Sequence, residues 1–292
     1  MTRFSELGAP GEHEIGAARL FGPDACAFSE DRAVLDVPLL LIAFTNRSGS
    51  SLFGELLVQS GAFGGGGEFL NAPALAEMRH ETGAQSLPEH IATLARESTA
   101  PGQAFALKAS WEQLAMVARW RLAAMFPAVH VIHVFRDDTV AQAVSFSIAL
   151  QTGHWRTGQE KGPVVAQGMT EGMAQGMAQE AGRDTAPPAP SPAPPAPRAQ
   201  YRESELLGIL ETQAADNARI RAVTAACGWR RMLVCYEALI ADPAHHVQQS
   251  QLFCGLAPRP FAPRPTEHRR QAGPLNAEFA AWLTRALAAR LL

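Results

Sequence analysis

Cysteine, long apolar runs and charge of one sign are all in short supply in this chain, and each shortage excludes something. The four cysteines, Cys26, Cys227, Cys235 and Cys254, form no CxxC pair and have no histidine at metal-ligand spacing. That argues against a zinc site or a disulfide framework and leaves them as reduced, small core residues. The longest apolar run, Val37 to Phe44, is far short of the roughly 20 residues that a bilayer-spanning helix needs. Residues 1–20 carry no signal-peptide apolar region, so a cytoplasmic protein is the expectation. With 25 Lys+Arg against 28 Asp+Glu there is no global basic field of the kind that gathers nucleic acid, so any anion site must be local.

What is present is a core. The 292 residues are 47% hydrophobic, enough for one large α/β domain. Residues 1–36 show no sustained period and read as a loosely structured N-terminal extension, with the domain running over 37–292. VPLLLIAF is a continuous apolar run of the kind found in a strand covered on both faces, and it leads directly into TNRSGSSL. SSLFGELLVQSG then reads as a helix closed by Gly61. Ala104 to Lys108 reads as a second strand. Trp111, Leu114, Ala118, Leu122 and Met125 share one face of a helix stopped by Pro127, and Val129 to Phe135 is a third strand.

Asp137 to Gln151 has helical composition, with two carboxylates at its positive end. An insert at 158–200 follows, running through GMTEGMAQGMAQ and APPAPSPAPPAP, too polar and too rich in proline to pack, and is expected to be disordered or partly extended. Glu203 to Cys227 reads as a helix, Met232 to Tyr236 as a strand, and Asp242–Pro243 as the cap and first residue of a helix ended by Gly255. Strands alternating with helices predict a three-layer α/β fold with a mainly parallel sheet and helices on both faces.

TNRSGSSL places Ser48, Gly49, Ser50 and Ser51 where N–H groups and hydroxyls converge on a helix N-terminus, with Arg47 adding fixed charge. It is not the nucleoside triphosphate loop, which needs an earlier glycine and a lysine after the second one. On spacing alone, RSGSS after a strand also fits an ordinary tight turn. The wider text resembles the sulfotransferases, most closely the bacterial trehalose 2-sulfotransferase-like family. The match takes in Arg47 to Ser51, EFL at Glu68, LKASW at Leu107, HVFRDDTVAQAVSF at His133, QTGHW at Gln151, VCYEALIADP at Val234 and RQAGPLNAEF at Arg270.

That resemblance implies the sulfotransferase variant of the P-loop NTPase-like fold, and 3'-phosphoadenosine-5'-phosphosulfate (PAPS) as donor, without a metal. It implies that Arg47, Ser48, Gly49, Ser50 and Ser51 hold the 5'-phosphosulfate, and that Arg136 and Ser145 hold the 3'-phosphate. Tyr236 would lie near adenine, and Arg269 and Arg270 would close over the 3'-phosphate. Glu68 becomes the catalytic base, Arg47 the cation that neutralises the leaving phosphate, and Lys108, Gln151 and Trp155 the acceptor side. A homodimer, a carbohydrate or glycolipid acceptor and peripheral membrane contact are likewise implied.

Each residue also has a plainer reading. Arg136 can pair with Asp137 or Asp138 as a solvated cap. Tyr236, Trp111 and Trp155 can belong to the core or its rim, Arg269 and Arg270 to a solvated basic tail. His130 and His133, inside an apolar strand, read as core histidines. Glu68 follows four glycines, Gly64 to Gly67, which suggests a mobile loop. A P-loop-like kinase using Asp137 and Asp138 for magnesium, and a non-catalytic binding protein of the same fold, are the two competing readings.

Overall fold

Successive residues of the apolar run after Asp36 enter different cores, which is why it shows no polar alternation. It forms β1 (Leu39–Phe44). Leu39, Leu41 and Ala43 join one buried cluster, and Leu40 and Ile42 join another on the opposite face. The computed structural model describes residues 7–153, 199–266 and 273–291. Four more strands join β1: β2 (Phe63–Gly67), β3 (Ala104–Ala109), β4 (Val129–Phe135) and β5 (Arg230–Cys235). They form one sheet in the order β2-β3-β1-β4-β5, and every pair is parallel. Leu41 sits opposite Leu107 on one side and Val131 on the other.

Helices cover both faces, so the three-layer α/β expectation is met. One face packs against α2 (Ser50–Gln59), α8 (Tyr236–Ala241) and α9 (Pro243–Phe253), through Phe53, Leu57, Leu239 and Val247. The other packs against α1 (Glu12–Phe21), α3 (Ala72–Thr82), α4 (Leu87–Ser98), α5 (Trp111–Arg119) and α7 (Glu203–Ala226). A third cluster joins α7 to α6 (Thr139–Thr152) and α10 (Pro274–Leu291) through Val144, Leu206, Phe279 and Leu283. Among the described residues no helix is long and apolar enough to cross a membrane. All four cysteines are free thiols, and burial pushes Cys254 up to about 12.

Three expectations need correction. Residues 7–36 are not loosely structured: α1 packs on the domain, and Ala17, Cys26, Phe28 and Leu35 are buried in its core. The helix expected to run to Met125 stops at Arg119, and Leu122–Met125 is a separate 3-10 turn after a left-handed Arg121. The reason lies in the N-terminal segment, where Phe28 N–H donates to the Trp120 carbonyl and those of Val34 and Leu35 donate to the Met125 carbonyl. Those acceptors are then committed outside the helix.

The third correction concerns the glycine run, which is the edge strand β2 and not a mobile loop. A Cβ on Gly64 would lie 1.9 Å from the Ser98 carbonyl oxygen, so α4 reaches the sheet only because no side chain is there. The pairing of β2 with β3 shifts register between Gly65 and Gly67, a bulge that re-aims the chain immediately before Glu68. The 158–200 insert lies almost wholly outside the described residues.

Candidate active site

Five parallel strands end on one edge of the sheet, and Arg47, Glu68, Lys108, Arg136 and Tyr236, singled out from the sequence, lie at or beside those ends. After β1 the chain turns through residues 45–49. Gln142 of α6 donates to Thr45 Oγ1 (2.9 Å) and to the Asn46 carbonyl (2.8 Å), and Gln213 of α7 donates to that same carbonyl (3.2 Å). Arg47 and Gly49 both take positive φ, 63° and 91°, and Gly49 caps α2. The first helical bond runs from Phe53 N–H to the Gly49 carbonyl, so the N–H groups before it have no acceptor within the helix.

Gly49 cannot carry a side chain, because its Cβ would sit 2.2 Å from Cδ2 of Tyr236. The Tyr236 ring therefore rests directly on the loop. Ser48 Oγ is fully buried and has no hydrogen-bond partner. An orphaned hydroxyl, free amides at a helix N-terminus and two nearby guanidinium groups fit an anionic phosphate ligand.

On the β2 and β3 side, Glu68 and Lys108 form an ion pair, and Lys108 Nζ also donates to Ser51 Oγ (2.8 Å). Lys108 is held among apolar neighbours, its ammonium 4.6 Å from the centre of the Phe44 ring, with only 5% of its side chain exposed against 31% for Glu68. The second Glu68 oxygen accepts from Asn71 Nδ2 (2.7 Å), and Asn71 Oδ1 accepts from Gln113 Nε2 (2.7 Å). Gln113 is itself fixed by a capping box with Ser110 at the start of α5. The carboxylate that the sequence nominated is thus gripped from both sides and still reaches solvent.

On the β4 and β5 side, Arg47 Nε donates to Ser145 Oγ (3.0 Å), so the loop arginine and the serine expected at the 3'-phosphate meet. Burial and the neighbouring Arg136 charge lower the Arg47 pKa. Arg136 lies over the Tyr236 ring at 4.7 Å and pairs with Glu237 (3.3 Å). Its partner is therefore neither Asp137 nor Asp138, and Asp138 instead caps α6 by accepting from Ala141 N–H. Burial works to raise the Glu237 pKa, but hydrogen bonds from Cys235, the Asp137 amide and Arg136 outweigh it and lower the net value.

Other nominated residues are placed elsewhere or not described. Both ends of the Gln151 amide bond the Gln200 backbone, and its nitrogen also donates to Ser147, so this side chain ties the two flanks of the insert together. Trp155, Arg269 and Arg270 lie outside the described residues. Trp111 packs against the core with Arg219 over its ring at 4.9 Å, and His133 is a buried neutral imidazole bonded to Asn217 (2.8 Å). Sequence reasoning missed Glu237, Asn71 and Gln113. Glu237 stood inside the YEAL text next to Tyr236, whereas Asn71 showed only as an amide three residues beyond Glu68 and Gln113 only by its capping-box spacing from Ser110.

A parallel sheet with an anion loop after its central strand and basic residues on the strands beside it is the frame of a P-loop-like group-transfer enzyme. Residues 40–167 match the family model described as Stf0 sulphotransferase, which bears out the sulfotransferase resemblance and supports sulfuryl transfer as the activity. The matched stretch contains Arg47, Glu68, Lys108, Arg136 and Ser145, and leaves out α1 and Tyr236. No curated protein matches the chain.

Proposed function

We propose that this protein moves the sulfuryl group of PAPS to a hydroxyl of a carbohydrate or glycolipid acceptor. The observation that carries the reading is the meeting of Arg47, Ser145 and Arg136 around one loop, with a gripped carboxylate at the next strand end. Two cationic positions suit a nucleotide charged at both ends, since each guanidinium can make paired bonds to a phosphate. Ser48, Ser51 and the amides of the loop would hold the 5'-phosphosulfate, Arg136 and Ser145 the 3'-phosphate, and Tyr236 would offer its ring to the adenine.

In the transfer step the acceptor oxygen attacks sulfur in line with the departing phosphate oxygen. Glu68 takes the hydroxyl proton, the new O–S bond forms, and the bond from sulfur to the 5'-phosphate breaks with its electron pair on the phosphate. Arg47 stabilises the charge that gathers there. Lys108 steadies both sides of the step, because it holds Ser51 on the donor side and Glu68 on the acceptor side. Most of the rate then comes from positioning and preset charge.

Calorimetric titration with 3'-phosphoadenosine 5'-phosphate (PAP) tests the donor assignment. Wild type should bind it, Arg47→Ala and Arg136→Ala should each weaken binding at least about tenfold, and magnesium-ATP should compete poorly. Binding unchanged in both variants, or a preference for magnesium-ATP, would sink the reading. Mass spectrometry of a carbohydrate and lipid extract incubated with PAPS should reveal sulfated products that Glu68→Gln no longer forms.

A further inference from the structure

Asn71 precedes the first residue of α3 and would ordinarily cap that helix, but its side chain is committed to Glu68 and Gln113, and it makes no capping bond. The acceptor for the first amide of α3 comes from another element. The Ala72 N–H donates to Nδ1 of His13 on α1, at 3.3 Å. We propose that His13, outside the family-matched stretch, is a positioning residue for the catalytic carboxylate: it anchors the start of α3 and through Asn71 sets where Glu68 stands. The inference rests on Glu68 being the base.

The anchor is itself built in. Gly16 of α1 comes so close to α3 that a Cβ there would be 2.4 Å from the Ala72 Cβ, so the two helices touch at the residue that His13 caps. A Cβ on Gly11 would lie 2.8 Å from the Glu112 side chain at the start of α5. Glu14, buried on α1, pairs with Arg119 of α5, which also donates to the Leu7 carbonyl (2.8 Å). The helix α1 is therefore braced against α3 and α5, the two elements that carry Asn71 and Gln113. A shift of about 1 Å in a reacting group can cost a hundredfold in rate, so a contact one residue from the group holding Glu68 matters.

Accepting at Nδ1 requires a neutral ring with its proton on Nε2. The charged groups acting on the ring are Glu12 on α1 and Glu68 at the β2–α3 junction, which favour protonation, and Glu12 also acts on Glu112 of α5. Burial outweighs them and lowers the His13 pKa from 6.5. A protonated ring would turn an N–H toward the Ala72 amide and the positive end of α3, so the contact holds at pH 6.5 and is lost only as pH falls through the lowered native pKa.

The test compares wild type, His13→Ala, His13→Asn and Glu68→Gln. Asparagine places an oxygen where Nδ1 stood and does not titrate. With PAPS carrying labelled sulfur and the carbohydrate and lipid extract as acceptor pool, His13→Ala should lower kcat about tenfold with unchanged PAP affinity. His13→Asn should restore most of the rate, and its rate relative to wild type should rise as pH falls through the lowered native pKa of His13. Amide exchange over residues 71–75 should be faster in His13→Ala and normal in His13→Asn. A wild-type rate or unaltered exchange in His13→Ala, equal impairment of both His13 variants, or parallel loss of PAP binding overturns the inference. Full activity in Glu68→Gln instead overturns the base assignment, and is read separately from the exchange result.

Discussion

Replacing Gly49 with alanine gives the most direct measure of whether the loop is built as described. The substitution adds one methyl group at a residue with φ 91°, where an L side chain costs about 1–2 kcal/mol. The new Cβ would also stand 2.2 Å from Cδ2 of Tyr236, so the ring must leave and its stacking with Arg136 at 4.7 Å is lost, about 0.5–1 kcal/mol more. Together these come to about 1.5–3 kcal/mol. If the loop keeps its shape, the whole amount appears as lost stability in urea unfolding. If it relaxes, the loss moves to ligand affinity, and PAP binding weakens by about 10- to 150-fold. The two losses should sum to the same figure. In a Tyr236→Ala background the clash is gone and Gly49→Ala should cost only the backbone share, about 1–2 kcal/mol. The reasoning fails if the combined loss is below about 0.5 kcal/mol, or if it is equal in the two backgrounds.

Gly64→Ala drives a methyl group into the Ser98 carbonyl oxygen, 1.9 Å away, and should lower the urea unfolding free energy by about 3 kcal/mol. Gly208→Ala, inside α7 near its second turn with nothing within 4 Å, should raise it by about 0.5–1 kcal/mol, and a Gly64 variant as stable as wild type would refute the packing account of β2. His133 has its pKa lowered from 6.5 to about 4 by burial, so the unfolded chain binds the proton more tightly. Its contribution is complete above pH 6.5 and is lost as pH falls toward 4, about 3 kcal/mol in all. Urea midpoints measured across that window should fall steeply in wild type and less steeply in His133→Gln; identical slopes would show that His133 is not the group responsible.

How much of this was readable from the chain depended on where each element finds its partners. Strands β1 and β4 were legible because a strand buried on both faces is mostly apolar, as Leu39–Phe44 is throughout and Val129–Phe135 is apart from His130 and His133. Asp242 was legible as a cap, and Asp138 as a carboxylate at a helix start, because the amides they accept from lie only three positions on. Strand β2 was not, since FGGGG has almost no side chains to show a period and becomes a strand through the Ser98 carbonyl and β3. The helix α1 was missed for a related reason: Ala72 and Arg119, which hold it, are 59 and 105 positions away from His13 and Glu14. In the site, the resemblance nominated residues at strand ends but not what they do to one another. Glu237 as the partner of Arg136, and Gln151 spent on the Gln200 backbone, are facts of tertiary contact.

The chain crossing explains why those strand ends make one site at all. Strand β1 lies in the middle, β2 and β3 are laid down on one side of it, and the chain then passes to the other side for β4 and β5. The connections diverge at the carboxyl end of β1, and a cleft opens there between loops leaving in opposite directions. Along the edge the order is Glu68, Lys108, the Arg47 loop, Arg136 and Tyr236, although in the chain the loop comes first. The cations on the β4 side and the carboxylate on the β2 side are thus separated by the loop itself. A nucleotide anchored at Arg136 and Tyr236 with its phosphosulfate on the loop would present sulfur toward Lys108 and Glu68, on the side where α1 and α3 meet. Each motif alone describes an anion-binding turn, an arginine or a glutamate. The crossover gives them an order along the sheet edge, and under the proposed transfer that order would run from donor to acceptor.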